Sequence, residues 1–300
     1  MAIFNLFLAS VIFPLFGIAL LFRRSRAPFP GWFATFFFAT GLVGFSFLAA
    51  PWGWFGLPLR YLLLFLYLGA VVASIRRPIP AEVVPDGFMR TAAKMLIGIF
   101  FGGVALSALQ ARSKPAESIE LRFPLRNGSY LIGHGGSTSA ANFHSMHPSQ
   151  RFALDIMKLT AFGTRARGLS PTELTRYAVF GAAIYSPCNG KVAAAVDGFP
   201  DNNPPMRDEK NLAGNHVAIQ CGEAVVYIAH LQKGSVAVKP GAPVTTETLL
   251  GRVGNSGNTT EPHLHVHAEK GRYTGKFSGF PGLAATYDGA WPVRNDIVRR

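Results

Sequence analysis

HVAIQCGEAVVYIAHL, residues 216–231, decides the fold class of the second half of this chain. It is a run of β-branched and apolar residues interrupted at Gly222. Shorter runs of the same texture stand on both sides. They are LRFPLRNGSYLIGHGGSTSAANFH (121–144), AAIYSPCNGKVAAAV (182–196), PGAPVTTETLLGRVGNSGN (240–258) and PHLHVHAE (262–269). Gly, Pro and Asn separate them at spacings suited to an antiparallel sheet or sandwich, so residues 111–300 are expected to form an all-β domain with a core at about 120–270. One short helix is expected from SPTELTRYA (170–178), with Ser170 as N-cap, Pro171 at N1 and Glu173 closing a capping box.

The first half reads differently. The chain is 49% hydrophobic and 15% charged, with mean hydropathy +0.24, too apolar for an average soluble enzyme. Residues 1–22 and 27–59 carry no charge. Four apolar stretches, near 2–22, 32–50, 58–75 and 93–110, approach the ~20 residues needed to cross a hydrocarbon core. Residues 1–110 are therefore expected to be a region of four transmembrane helices. Arg60 would sit at the mouth of the third span, Lys94 would snorkel from the fourth, and PWGW (51–54) would form an interfacial aromatic belt. RRSR (23–26) follows the first span, which lacks a basic leader, so a cleaved signal peptide is disfavoured.

The loops after spans one and three hold Arg23, Arg24, Arg26, Arg76, Arg77, Arg90 and Lys94; the loop after span two holds only Arg60. The positive-inside rule then places both termini, and everything after Gln110, outside the cytoplasmic membrane. Residues 111–300 contain 21 basic and 14 acidic residues, a balance of +7 that suits anionic surroundings such as wall polymer or lipid headgroups. Nucleic acid is not an expected partner, because no nucleic-acid motif occurs. Cys188 and Cys221 both lie in this outer part, and either a disulfide or two separate thiols is compatible with their positions.

The chemistry concentrates in the histidines. NFHSMHPSQRFALDI (142–156) holds His144, His147 and Asp155; His216, His230 and the run His263, His265, His267 complete the set. An aspartate with two histidines from distant segments is a ligand set for a catalytic zinc, which keeps its fourth position for water. Further histidines nearby can take a proton from that water or stabilise an oxyanion. On an unbroken strand His263, His265 and His267 would share one face.

GNHVAIQCGEAVVYIAHLQKGSVAVKPGAPVTTETLLGRVGNSGNTTEPHLHVHAEKG (214–271) resembles the core of the lysostaphin-type (LytM-type) zinc metallopeptidases, which hydrolyse peptidoglycan peptides. The likeness spans about 120–300 and is densest over 180–270. It rests on the order of a strand ending in His-Leu, then LGRVGNSGNT, then PHLH. The resemblance implies Zn2+ as cofactor, with Asp155 and His265 as ligands, His263 as catalytic base or oxyanion stabiliser, and His230 as the other catalytic histidine. The family's His-x-x-x-Asp pattern is broken here, because Arg151 stands four residues before Asp155. A branch of the family resembles N-x-H…Q-R-[FY]-A-x-D, which selects His144 as the first ligand with His147 as the alternative. His267 would be a neighbour of the site, His216 a strand-start residue, and His134 a loop residue near the cleft.

The implied function is a membrane-anchored metalloendopeptidase of the bacterial inner membrane, its catalytic domain periplasmic and its substrate a stem or cross-bridge peptide. Arg165, Arg167 and Arg176 in TAFGTRARGLSPTELTRY (160–177) would either meet stem-peptide carboxylates or lie on a solvated loop. Two alternatives stand beside it. One is a non-catalytic wall-binding or regulatory protein of the same fold; the other is a biotinyl/lipoyl-like barrel-sandwich module, although GRVGNSGN offers no carrier lysine.

Overall fold

A computed structural model describes residues 2–26, 28–82, 84–277 and 279–300. The chain separates into two units, 1–110 and 111–300. The first is helical and holds four helices long and apolar enough to cross a membrane, at Ile3–Arg23, Phe29–Ala49, Leu57–Arg76 and Phe88–Gln110. Large apolar side chains point outward from them, Phe65 at 72% exposure and Phe100 at 66%, as a bilayer solvent requires.

The first span runs α1 (Ala2–Phe7), a π-helical stretch at Leu8–Ile12, and α2 (Phe13–Arg23). Pro14 explains the interruption, since it has no N–H to offer the carbonyl of Ser10 one turn earlier. That carbonyl is taken instead by the Ser46 hydroxyl, at 2.6 Å, from α3 (Phe29–Ala49). PWGW does not form an interfacial belt at Trp52. Its indole is fully buried in the short α4 (Trp52–Phe55) and donates to Ser46 O at 2.7 Å.

Arg60, in the first turn of α5 (Leu57–Arg76), is buried. Its Nε–H donates to Phe47 O at 2.9 Å, and its guanidinium lies 4.1 Å from the Phe47 ring. Phe47 belongs to the last turn of α3, whose carbonyls lack helical partners, so the arginine satisfies a backbone acceptor that lipid could not. Lys94, in α6 (Phe88–Gln110), does not snorkel. It pairs with Asp86 at 2.9 Å and donates to Thr35 Oγ1 at 2.9 Å, while Arg24 reaches the same carboxylate at 2.9 Å. The helices α3 and α6 meet at glycines, and a Cβ added to Gly41 would lie 2.6 Å from Gly98 O.

The second unit is built on a ten-stranded sheet. Its strands are β1 (Ser118–Leu121), β2 (Ser129–His134), β3 (Leu154–Lys158), β5 (Gly190–Val196), β6 (Asn215–Cys221), β7 (Ala224–Leu231), β8 (Pro243–Val244), β10 (Leu264–Lys270), β11 (Gly282–Tyr287) and β12 (Ile297–Arg299). The main path runs β12-β2-β3-β10-β7-β6-β5-β8, with β11 pairing β10 and β1; β4 (Ala183–Tyr185) and β9 (Leu249–Arg252) form a separate pair. Every pairing is antiparallel except β1 with β11.

Period-two alternation divides the central strands into two faces. Leu154, Ile156, Val226, Ile228, Leu264 and Val266 enter one hydrophobic core. Asp155, His265 and His267 are thereby turned to the opposite face. The segment 170–178 is not an α-helix: it holds a single 3-10 turn, Leu174–Arg176. Tyr177 bridges Ala166 in extended pairing and donates its hydroxyl to Pro171 O at 2.9 Å, and these contacts outcompete a helix begun at Ser170.

Cys188 and Cys221 form a disulfide with Cα atoms 6.0 Å apart, closing a loop of 33 residues. Replacing both by serine is expected to lower the unfolding free energy of this unit by roughly 3–4 kcal/mol. A denaturant titration of the full chain in detergent, oxidised against double mutant, measures it.

Candidate metal centre

The strand register assembles the site. His265 in β10 lies directly opposite Asp155 in β3, and His265 also opposes Ala229 in β7. Residues 110 apart in sequence thus become cross-strand neighbours about 5 Å apart. Asp155 Oδ1 lies 3.0 Å from His265 Nδ1, and Oδ2 lies 2.9 Å from His144 Nε2. His263 Nε2 stands 3.5 Å from Asp155 Oδ1.

His144 comes from a 3-10 turn, Phe143–Met146, capped by Asn142. Asn142 is fully buried. Its Oδ1 accepts from His144 N at 3.1 Å, and its amide donates to Gly136 O and Ala153 O at 3.1 and 3.0 Å. One side chain therefore ties the turn to the strand that carries Asp155. Asn142→Ala leaves these buried backbone groups unpaired, and a loss of ~1–3 kcal/mol in stability is expected, read as a lowered denaturation midpoint. His147, the alternative, is exposed at the rim of the cleft, and its N–H donates to His144 O.

His230 would face the core if β7 alternated to its end. It adopts φ +63° instead, a left-handed conformation that a non-glycine residue holds at a cost of ~1–3 kcal/mol. A register shift between Asn215 and Val217 accompanies it. The ring is turned to the site, with its centroid 5.0 Å from that of His263 and 5.7 Å from that of His265. Its Nδ1–H donates to Ser256 O at 2.9 Å. Gly214 permits that approach, since any Cβ there would collide with the Ser256 backbone. His263 is held the same way, Nδ1–H to Glu261 O at 2.9 Å, with the Thr259 hydroxyl at 3.2 Å. A carbonyl accepts only, so both rings carry their proton on Nδ1 and present a bare Nε2. The GRVGNSGN turn thus does more than deliver β10: its Ser256 carbonyl sets the tautomer of a histidine on another strand.

Electrostatics follow from burial and the shared carboxylate. Burial opposes ionisation of Asp155, but His144 and His263 outweigh it and hold the carboxyl well below its usual range. Burial likewise opposes a charge on His144, and the Asp155 carboxylate overcomes it, raising that imidazole. Burial holds His230 well below its ordinary value and pushes His265 down to about 3.

One ring nitrogen each from His144 and His265 and an Asp155 oxygen lie within 4.8 Å of one another, and the nitrogens that contact the carboxylate are His144 Nε2 and His265 Nδ1. Tetrahedral zinc with bonds of ~2.0–2.1 Å needs donor atoms ~3.3 Å apart, a few tenths of an ångström beyond the two measured contacts. This N, O, N set fits zinc with little movement, and a buried carboxylate facing imidazoles on every side is suited to a cation. The site opens into a cleft of about 480 Å³ lined also by His134, Arg207 and Phe277.

Other expectations resolve differently. Arg165 does not meet solvent: it is 2% exposed and chelates Glu261 through Nε at 2.8 Å and Nη2 at 2.7 Å. It anchors the segment before Pro262-His263 rather than offering charge to a ligand. Arg167 and Arg176 are exposed, the latter beside Glu173 at 3.1 Å. His216 donates its Nδ1–H to Gly214 O at 2.8 Å and packs on Phe277. Arg294 carried no sequence signal. Its Nη1 donates to His134 Nδ1 at 3.3 Å, and Phe143 N donates to the same atom at 3.2 Å, so His134 turns an Nε2–H to the cleft. Burial, aided by Arg294, pushes His134 down to about 3.

Residues 175–276 match the model of peptidase family M23. No curated protein sequence matches the chain. Among solved structures, it is similar to a chain of the SpoIIQ–SpoIIIAH pore-forming complex at 15% identity, covering 39% of this chain and 56% of that one, TM-score 0.25. A zinc-containing peptidase from Vibrio cholerae matches at 19% identity over 39% and 46%, TM-score 0.24. The M23 metalloprotease pseudoalterin, from the deep sea, matches at 14% identity over 61% and 99%, TM-score 0.34. The chain spans about half the length of the first two.

Proposed function

Because the outer unit carries a peptidase family M23 domain, we propose that this chain is a membrane-anchored zinc metalloendopeptidase cleaving stem or cross-bridge peptides of peptidoglycan. The observation that carries the reading is the convergence of His144 Nε2, Asp155 and His265 Nδ1 beside two histidines held with bare Nε2 atoms.

His144, Asp155 and His265 would hold the metal, and His147 remains at the rim. A zinc bound there supplies a Lewis acid for the scissile carbonyl and lowers the pKa of water. His263 Nε2 accepts the proton of the attacking water, its Nδ1–H fixed by Glu261 O. His230 stabilises the developing oxyanion as the imidazolium it becomes when the proton taken by His263 is passed to its Nε2, from which it goes on to the leaving amine; burial opposes that charge, and the Ser256 carbonyl bonded to Nδ1–H offsets part of the cost. The left-handed backbone at His230 is consistent with strain kept for this placement.

The helical unit tethers the domain near the wall and raises its effective concentration there. The arginine-rich loops favour a cytoplasmic face after the first and third spans. The Cys188–Cys221 disulfide suits an oxidising compartment outside that membrane.

The test is release of soluble peptides from purified peptidoglycan by the full chain in detergent, with chelator and after zinc is restored. Hydrolysis that stops with chelator and returns with zinc is expected. Zinc-free protein without hydrolysis would favour the non-catalytic wall-binding reading or the barrel-sandwich reading.

A further inference from the structure

The metal-site reading uses one edge of His265 and leaves the other edge, and the rest of β10, without a task. Strand alternation puts His265, His267 and Glu269 in a row on one face. All three are buried, at 3%, 1% and 0% exposure. His265 Nε2 lies 3.0 Å from His267 Nδ1, and His267 Nε2 lies 3.5 Å from Glu269 Oε1. The His267 ring cannot turn away. It stacks on Tyr227 at 4.7 Å and 14°, and meets Phe277 edge-on at 5.4 Å. Glu269 is fixed as an acceptor by the backbone N–H groups of Gly279 and Phe280, each 3.1 Å from Oε2.

We propose that Glu269 and His267 are positioning residues for the metal centre, forming a hydrogen-bonded relay that turns the Nδ1 lone pair of His265 toward the ion. The inference rests on the zinc-site reading above. The alignment of these buried groups carries it. The row from Asp155 to Glu269 makes three contacts, each needing one hydrogen: Asp155–His265, His265–His267 and His267–Glu269. Two neutral imidazoles supply two hydrogens, and both carboxylates supply none. One contact is therefore short of a hydrogen. In this structure the shortfall sits at the longest contact, where His267 Nε2 has no hydrogen-bond partner within range among the described residues.

A cation at the Asp155 end removes the deficit. His265 Nδ1 then needs no proton, its Nε2–H donates to His267 Nδ1, and His267 Nε2–H donates to Glu269. All polar atoms of the row are satisfied in one direction only. Without such a task, a buried carboxylate and imidazole between Tyr227 and Phe277 would be a poor substitute for apolar residues of similar size. Carboxylate-backed histidines bind zinc more tightly because the ring is oriented and its donor nitrogen is more basic; loss of such support typically weakens affinity ~10–100-fold.

The experiment measures zinc dissociation constants for the full chain in detergent by competition with a chromophoric chelator. His267→Phe keeps the aromatic packing and removes the acceptor, and ~10–100-fold weaker zinc binding is expected. His267→Gln, whose amide can accept from His265 and donate to Glu269, is expected to recover most of the loss. Thermal melts of the metal-free proteins check folding; if His267→Phe does not fold, Glu269→Gln takes its place, with weaker zinc binding again expected. Wild-type affinity in the folded variant overturns the relay, as does a His267→Gln protein no better than His267→Phe. Failure of the wild type itself to bind zinc overturns the metal-site reading and the relay together; zinc-dependent hydrolysis with an unaffected variant overturns the relay alone.

Discussion

The His265→Ala protein is expected to fold, to purify with zinc near zero instead of about one per chain, and to lose hydrolysis of peptidoglycan altogether. The replaced imidazole faces Asp155 across the β3–β10 pairing and supplies one of three donor atoms within 4.8 Å. Two remaining donors do not make a closed zinc site, because catalytic zinc takes three protein ligands and leaves the fourth position to water. His144→Ala is expected to behave alike, since His144 Nε2 contacts Asp155 at 2.9 Å. His147→Ala is the control: the residue is exposed, and zinc content should be unchanged. Zinc analysis of the three purified proteins decides the matter. Loss of metal from His147→Ala with retention in His144→Ala would reverse the ligand assignment.

The second large effect is kinetic. His263→Ala is expected to keep its zinc and lose ~10²–10⁴-fold in turnover, the usual contribution of a positioned acid–base group. At ~1.4 kcal/mol per decade that is ~3–6 kcal/mol of transition-state stabilisation. The ring holds its proton on Nδ1 against Glu261 O and stands beside the carboxylate without belonging to the N, O, N set. Metal content measured beside the hydrolysis rate separates this role from that of a ligand. A His263→Ala protein that loses zinc, or that turns over at the wild-type rate, would remove His263 from the proton-transfer role.

Much of the architecture was legible in the chain because it rests on local periodicity. Twenty-residue apolar stretches with arginines between them read as helices long and apolar enough to cross a membrane, and the helices at Phe29–Ala49 and Leu57–Arg76 follow those stretches closely. Alternating β-branched runs between Gly, Pro and Asn became β5, β6, β7 and β10. The expected helix at 170–178 failed for a physical reason. Its capping residues promised a helix, but Tyr177 found a bridge partner in Ala166 and an acceptor in Pro171 O. The chain alone places Arg165 either against a ligand's carboxylates or on a solvated loop, and it is Glu261, 96 positions away, that buries it instead.

By itself, the sequence determined the two-part plan, the alternating faces of the strands, and the short roster of histidines and one aspartate from which a metal site could be drawn. Tertiary structure decided how those residues are used. Closing β3 against β10 set Asp155 opposite His265, and the left-handed turn at His230 swung that ring out of the core. The carbonyls of Ser256 and Glu261 chose which nitrogens stay bare, and Arg294 was brought behind His134 from 160 positions away. In EPHLHVHAEKG, three histidines of one composition acquire three environments. His263 is held by its own turn, His265 by Asp155, and His267 by Tyr227 and Phe277. Periodicity assigns a side chain to a face from its neighbours in the chain; the proton, lone pair and charge it meets there depend on partners that only the closed sheet brings within hydrogen-bond distance.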